Sequence, residues 1–196
     1  MAAIEIPSPV DHDPIEGPRV RFRPIEERDL PDLLRWLADP EVRRYYGEPP
    51  ASVAAARADY MEPDVSPCWR FVIELHGRGV GEIQYYHQYA GYQEWTAGID
   101  LFIGEPDARD RGVGTEVVRT MLAYLFEMKR LHRVIIDPEV ANRRAIRCYE
   151  KAGFRFDGVL RHHAFEHGEY VDTYFMSMLE DEWPEARRRW EAERTR

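Results

Sequence analysis

At 196 residues, with 44% hydrophobic and 32% charged residues, the chain fits one soluble globular domain. Such a length buries about 70% of the unfolded surface around a single core. The 27 Lys and Arg against 36 Asp and Glu leave a net charge of −9, which argues against a nucleic-acid partner and suits a cationic one, although acidity also simply keeps a protein soluble.

No apolar run approaches the roughly 20 residues of a membrane span, so no membrane partner is expected. The first 18 residues carry prolines and acids but neither a basic start nor an apolar stretch. They read as a flexible arm and not as a signal peptide, with a single domain over residues 19–196.

Residues 19–23 alternate charged and apolar side chains around Val20 and Phe22 and stop at Pro24, the pattern of a strand. Leu30, Leu33, Leu34 and Leu37 recur at helical spacing, and residues 51–61 read as a second short helix before Pro63. Residues 69–75 and 80–86 are predicted strands of a hairpin, joined through His76-Gly77-Arg78-Gly79. A third strand, at about residues 96–103, precedes a long helix over 113–128 with Val117, Met121, Leu122 and Leu125 inward.

Val134, Ile135 and Ile136 form a short, wholly apolar strand, as expected where both sheet faces are covered. A helix over 141–152 follows, closed by Gly153 at the left-handed capping position. Residues 155–162 and 170–179 make a last antiparallel pair with Gly168 in the turn, and 183–194 a polar terminal helix. Helices between strands indicate an α/β fold in which the strands flanking the long helix are parallel neighbours.

Cys68 and Cys148 show neither metal-ligand spacing nor a secreted disulfide framework, which points to the cytoplasm, and Cys148 reads as a small buried hydrophobe. His162, His163 and His167 are close in sequence, but adjacent strand residues face opposite ways, so no metal is expected there. Arg187, Arg188 and Arg189 read as a solvated helix face.

The most informative stretch runs from Arg109 through Asp110, Arg111, Gly112, Val113 and Gly114 to Thr115, between the apolar third strand and the long helix. Glycines ahead of helices are often only structural. Here, however, two of them let a tight turn bring free amide N–H groups and a helix N-terminus against an anion, as for a diphosphate. The stretch has neither the lysine of a P-loop nor the glycine spacing of a dinucleotide fold.

About thirty residues later Asn142, Ala145, Tyr149, Gly153 and Phe154 spell NxxAxxxYxxxGF. Together with RxxGxG at 109–114 this resembles the GNAT acetyltransferases, over roughly residues 19–179. The resemblance implies an α/β GNAT fold, a mixed central sheet of about six to seven strands with a splayed parallel pair, flanked by helices. It also implies acetyl-CoA as cosubstrate, with the pyrophosphate on residues 109–115, the pantetheine arm against free strand amides near Ile103, and Tyr149 near the thioester sulfur. Asn142, readable as an N-cap, is a further candidate for the coenzyme.

An alkyl amine is mostly protonated near neutrality and attacks a thioester only when neutral, so a base within hydrogen-bond reach is needed. Asp100, in the alternating strand before the glycine loop, is the leading candidate. A strand carboxylate facing water or pairing with an arginine is the alternative. Tyr149 would hydrogen-bond or protonate the departing thiolate, with a packing aromatic as the alternative, and the amides near Ile103 would stabilise the oxyanion.

Gly98-Ile99-Asp100 is similar to the GID strand of aminoglycoside 6′-N-acetyltransferases, and Asp137-Pro138 to the DP element whose aspartate binds the drug's amino groups. Gln84 and Tyr86 match that subfamily's substrate-facing strand. Tyr45-Tyr46-Gly47 stands where it has an aromatic pair, typically tryptophan, plus glycine, a departure that keeps sugar-ring packing possible and leaves the identity of the drug open.

The resemblance therefore implies acetyl transfer to a primary amine of a cationic small molecule, foremost the 6′ amine of an aminoglycoside, as a monomer or homodimer. Two alternatives stand beside it. Arg21-Phe22-Arg23-Pro24 and the stretch from Gly158 to Trp183 also look like the acetyltransferases of ribosomal-protein N-termini. A non-catalytic acyl-CoA sensing module would keep the anion cradle without the base.

Overall fold

The computed structural model describes residues 13–62, 68–87 and 95–195. Alternating side chains build one mixed sheet of eight strands. In chain order these are β1 (Ile15–Glu16), β2 (Val20–Pro24), β3 (Cys68–Leu75), β4 (Arg78–His87), β5 (Thr96–Ile103), β6 (Arg133–Ile136), β7 (Arg155–Glu166) and β8 (Glu169–Leu179). Across the sheet the order is β1-β2-β3-β4-β5-β6-β8-β7, with β5 and β6 parallel and every other neighbouring pair antiparallel.

Three helices cover each face. The larger core lies under α4 (Val113–Ala123), α5 (Arg143–Ala152) and α6 (Trp183–Arg194), where Val117, Met121, Leu122 and Leu125 meet Ile83, Tyr85, Ile99 and Val134. The other lies under α1 (Leu30–Leu37), α2 (Pro40–Tyr46) and α3 (Val53–Met61), where Leu30, Leu33, Trp36 and Val42 pack on Val72 and Phe102. The period of two explains the division: Ile83 and Tyr85 of β4 point to the first core, so Glu82, Gln84 and Tyr86 face the second. Among the described residues no helix is long and apolar enough to cross a membrane.

Local chemistry sets the helix ends that matter for the site. The Asp39 carboxylate accepts the Glu41 N–H at 2.8 Å and Pro40 occupies the first turn, so α2 begins sharply. Asn142 Oδ1 accepts the Ala145 N–H at 3.1 Å and starts α5, while Gly153 at φ 114° ends it.

The structure corrects several expectations. The sheet has eight strands where six to seven were expected, partly because Ile15 and Glu16, within the expected arm, pair with β2 and Ile15 is buried. A two-residue strand carries too little periodicity to read. Residues 1–12 of that arm, and Pro63, lie outside the described residues. Helix α2 was not expected, since Pro40 reads as a breaker and Val42 alone of its residues is buried.

The hairpin turn is only His76-Gly77, both at positive φ, with β4 starting at Arg78. The long helix is α-helical to Ala123 and continues as a π turn over Tyr124–Met128. Strand β7 continues to Glu166 through two bulges.

Candidate active site

The site begins where two strands part. Parallel pairing of β5 with β6 runs Thr96 to Arg133, Ala97 to Val134 and Gly98 to Ile135, and then ceases, while β5 continues to Ile103 along β4. Past Gly98 the β6 side of β5 has no partner strand among the described residues, so its polar backbone groups face a wedge instead of a ladder. A cavity of about 580 Å³ adjoins the wedge, walled by α2, the end of β5, the glycine loop and α5.

The glycine loop forms one end of the cavity. Gly112 is left-handed (φ 77°) and precedes α4, whose first backbone bond is Glu116 N–H to Gly112 C=O. Gly112 has no side chain to cap this helix, and the first-turn N–H groups of a helix have no partner within it, so those of Val113, Gly114 and Thr115 are suited to an anion. A Cβ at Gly112 would meet nothing within 4 Å, whereas one at Gly114 would rest 3.4 Å from Cys148 Sγ.

Of the residues expected to hold the coenzyme, Ile103, Arg109, Asp110, Gly112, Gly114, Thr115 and Asn142 border the cavity; Arg111 and Val113 do not. Val113 is buried in the core, which leaves only its backbone for the ligand. The Arg109 side chain, 7% exposed, donates to the carbonyls of Ile103 (2.8 Å) and Gly104 (2.7 Å) and pairs with Asp39 and Glu41. It thereby ties strand end, loop and α2 together at the cavity wall.

Tyr149 stands on the cavity wall, 7% exposed, with its ring against Phe154. Burial holds its phenol pKa well above the ordinary value, helped by Cys148, Asp100 and Asp137, so the hydroxyl keeps its proton. Tyr45 and Tyr46 border the same cavity from α2, and Tyr46 packs edge-on against Phe102 at 4.9 Å.

Beside the cavity, on the second sheet face, stands a row of facing side chains. Register places Arg70, Gln84 and Asp100 opposite one another on β3, β4 and β5. Arg70 Nε donates to Gln84 Oε1 at 3.0 Å, which turns the amide so that Nε2 donates to Asp100 Oδ2 at 3.0 Å. Asp100 retains partial exposure, yet desolvation raises its pKa to about 6, the Gln84 bond opposing and Asp137 repulsion adding. It is therefore chiefly ionised at neutral pH and close to the balance that suits a general base.

Asp137 follows directly on β6. Desolvation raises its pKa, with His163 pulling it down. Its charge reaches Asp100, Tyr86 and Tyr149, which places it near all three. Tyr86 lies over Gly98, where any Cβ would fall 2.4 Å from the ring, so this glycine makes room for the phenol. Asp100, Gln84, Tyr86 and Asp137 thus form a group beside the cavity and are not on its wall.

Glu82 was not anticipated. It is 0% exposed, opposite Phe102, and neither carboxyl oxygen completes a hydrogen bond; the Tyr46 hydroxyl, close enough to bias its proton, is likewise unsatisfied. Burial pushes Glu82 up to about 8, so it is a neutral acid at pH 7. The alternation of β4 puts Glu82 beside Gln84, the only sequence signal for it, and an acid in that position reads as solvent-facing until helices cover the face. Arg70 and His163 were also missed, being set by cross-strand register and by a bulge. Among the described residues no group of three or more His, Cys, Asp or Glu could hold a metal ion.

Residues 19–155 match the family model for the acetyltransferase (GNAT) domain. The chain is 29% identical over 156 residues to aminoglycoside N(6′)-acetyltransferase type 1 of Klebsiella pneumoniae, covering 72% of this chain and 76% of that one. It is 26% identical over 171 residues to spermidine N(1)-acetyltransferase of Escherichia coli K12, covering 84% and 88%. Among solved structures, aminoglycoside acetyltransferase AAC(6′)-Ib in complex with coenzyme A superposes with a TM-score of 0.74 at 26% identity, over 86% of this chain and 99% of that one. Its complex with coenzyme A and kanamycin gives 0.73 at 25%, over the same shares.

Proposed function

Because this chain belongs to the GNAT acetyltransferases and is an acetyl-CoA-dependent N-acetyltransferase, we propose that its acceptor is a small molecule with two or more amines, foremost an aminoglycoside acetylated at the 6′ amine. The observation that carries this reading is the pair of carboxylates, Asp100 and Asp137, facing across the wedge: one serves the reacting amine, the other a second ammonium group. A linear polyamine meets the same two charges, a second reading supported by the likeness to spermidine N(1)-acetyltransferase. A peptide terminus needs no second carboxylate.

The residues present fit acetyl-CoA. The N–H groups at the start of α4 would hold its diphosphate and the β6 side of β5 its pantetheine arm, so that the group supplies an activated acetyl thioester at the wedge. Asp100 accepts the proton of the incoming ammonium, directly or through one water, and Gln84 fixes which carboxylate oxygen faces the amine. Tyr149, protonated, donates to the sulfur as negative charge develops there. Strand amides of β5 beside Ile103 receive the charge growing on the carbonyl oxygen. A cytoplasmic enzyme conferring aminoglycoside resistance is the biological form of this proposal.

The test is thiol release from acetyl-CoA across kanamycin-type drugs, linear polyamines, lysine-like metabolites and N-terminal peptides. Drugs that differ only in a 6′ amine or 6′ hydroxyl locate the acetylated nitrogen. Preference for amines with a second cation is expected; preference for peptides, or equal rates with monoamines, overturns the proposal.

A further inference from the structure

Strand β7 carries a bulge where it passes the acceptor side. Leu160 pairs with Thr173 and Ala164 with Val171, so Arg161, His162 and His163 stand against the single residue Asp172. His162 is left-handed at φ 51°, and its N–H is held by Asp172 Oδ1 at 2.8 Å. Such a bulge re-aims the side chain that follows it. His163 Nδ1 lies 3.0 Å from Thr173 Oγ1 and 3.5 Å from Asp137 Oδ2.

We infer that His163 is a positioning residue of the acceptor site: with Thr173 it orients the Asp137 carboxylate to receive a second ammonium group of the acceptor. The inference rests on the two-carboxylate reading above and adds the residue that makes the second carboxylate selective.

A purely architectural pair would be needed if the loop after β6 were otherwise loose, and it is not. Val140 N–H donates to Asp172 C=O at 3.0 Å, Tyr174 N–H donates to Pro138 C=O at 2.8 Å, and Glu139 bridges to Thr173. Backbone bonds therefore already secure the segment, which leaves the imidazole, held by Thr173, to act on the carboxylate. Thr173 is 3% exposed, so its hydroxyl is a fixed partner for the ring. The Asp137 and His163 side chains keep 33% and 44% of their exposure, which leaves the pair open to a ligand arriving from solvent. The groups that feel Asp137 from the other side are Tyr86 on β4, Asp100 on β5 and Tyr149 on α5, so a cation held here lies within one small molecule of the reacting amine.

The test compares a linear alkyl diamine with the monoamine of equal chain length, with acetyl-CoA as donor, in the full-length wild type and in His163→Ala, His163→Gln, Asp137→Asn and the Ala/Asn double variant. Wild type is expected to favour the diamine. His163→Ala should raise KM for the diamine about tenfold, leaving kcat, the monoamine KM and the acetyl-CoA KM unchanged. His163→Gln, which keeps an N–H donor, should recover most of the loss. Adding His163→Ala to Asp137→Asn should cost nothing further, since both act through one carboxylate.

A lower diamine KM in His163→Ala would make the imidazole a competing cation and overturn the inference. Equal losses for diamine and monoamine, or additive losses in the double variant, would also overturn it. A wild type indifferent to the second amine would instead remove the two-carboxylate reading on which it rests.

Discussion

Asp100 and Asp137 stand just past the point where a ladder comes open: Gly98 pairs with Ile135, and two residues on from each come the two carboxylates, Asp100 still within β5 and Asp137 directly after β6. Had β5 and β6 stayed paired, these charges would be direct neighbours. The splay turns an unfavourable cross-strand pair into the two sides of a wedge, and each carboxyl there has a raised pKa.

Replacing Asp100 with Asn keeps the shape and the Gln84 contact while removing the proton acceptor. kcat/KM for the amine should fall 10²- to 10⁴-fold, the usual worth of a positioned base, with acetyl-CoA binding nearly unchanged by calorimetry. Loss of coenzyme binding would show instead that Asp100 is structural.

The pH profile follows from the same group. If Asp100 is the base of the proposed reaction it acts when ionised, so kcat/KM should rise through about pH 6 and level above it. The Gln84 bond favours the ionised form, so Gln84→Leu should move this acid limb to higher pH; Asp137 disfavours it, so Asp137→Asn should move the limb lower. Profiles that do not move in opposite directions would assign the limb to another group.

Tyr149→Phe should lower kcat by about 10²-fold, as for one general acid, without altering stability much, because the ring still packs on Phe154. Steady-state turnover together with a thermal melt separates the two effects. Unchanged turnover would leave the tyrosine only a packing role.

Gly112→Val should raise the acetyl-CoA KM more than it lowers kcat. Gly112 is left-handed at φ 77°, a conformation costing about 1–2 kcal/mol for other residues, and its added Cβ would project into open space beside the cavity. Gly114→Val should act less on the backbone and instead crowd Cys148. Titration of each variant with coenzyme A reads this out.

Glu82 makes stability depend on pH. Its folded pKa, about 8, lies above the ordinary 4.5, so between these values the folded protein holds a proton that the unfolded chain has released. The contribution is complete below about pH 4.5, declines as pH rises and levels off above about 8. Glu82→Gln mimics the protonated acid and should flatten this slope, leaving the variant more stable than wild type at pH 8 by a few kcal/mol in urea unfolding. A variant with the same slope would place the burial cost elsewhere.

Much of this was legible without coordinates because it is local. The strand Thr96–Ile103 and the helix Trp183–Arg194 were read with their observed bounds, and Gly153 was placed as the left-handed cap it is. RxxGxG before a helix and NxxAxxxYxxxGF carry their meaning in residue spacing, since a turn and a helix face are set by neighbours in sequence. From them came the family, the cradle and the expectation for Tyr149; the expectation for Asp100 came from the alternating strand before the glycine loop and its Gly98-Ile99-Asp100 sequence.

Tertiary structure decided the rest, because the deciding contacts join residues far apart in the chain. Nothing adjacent to Arg109 in sequence says that its guanidinium closes on Ile103, Gly104, Asp39 and Glu41. The neutrality of Glu82 arises only when α1–α3 cover its face of the sheet, and the reach of His163 to Asp137 only when a bulge in β7 turns it. Spacing along the chain specified the motifs and the family; register across the sheet and the withdrawal of water by packing determined the charge of the candidate residues, their partners and the direction in which each points.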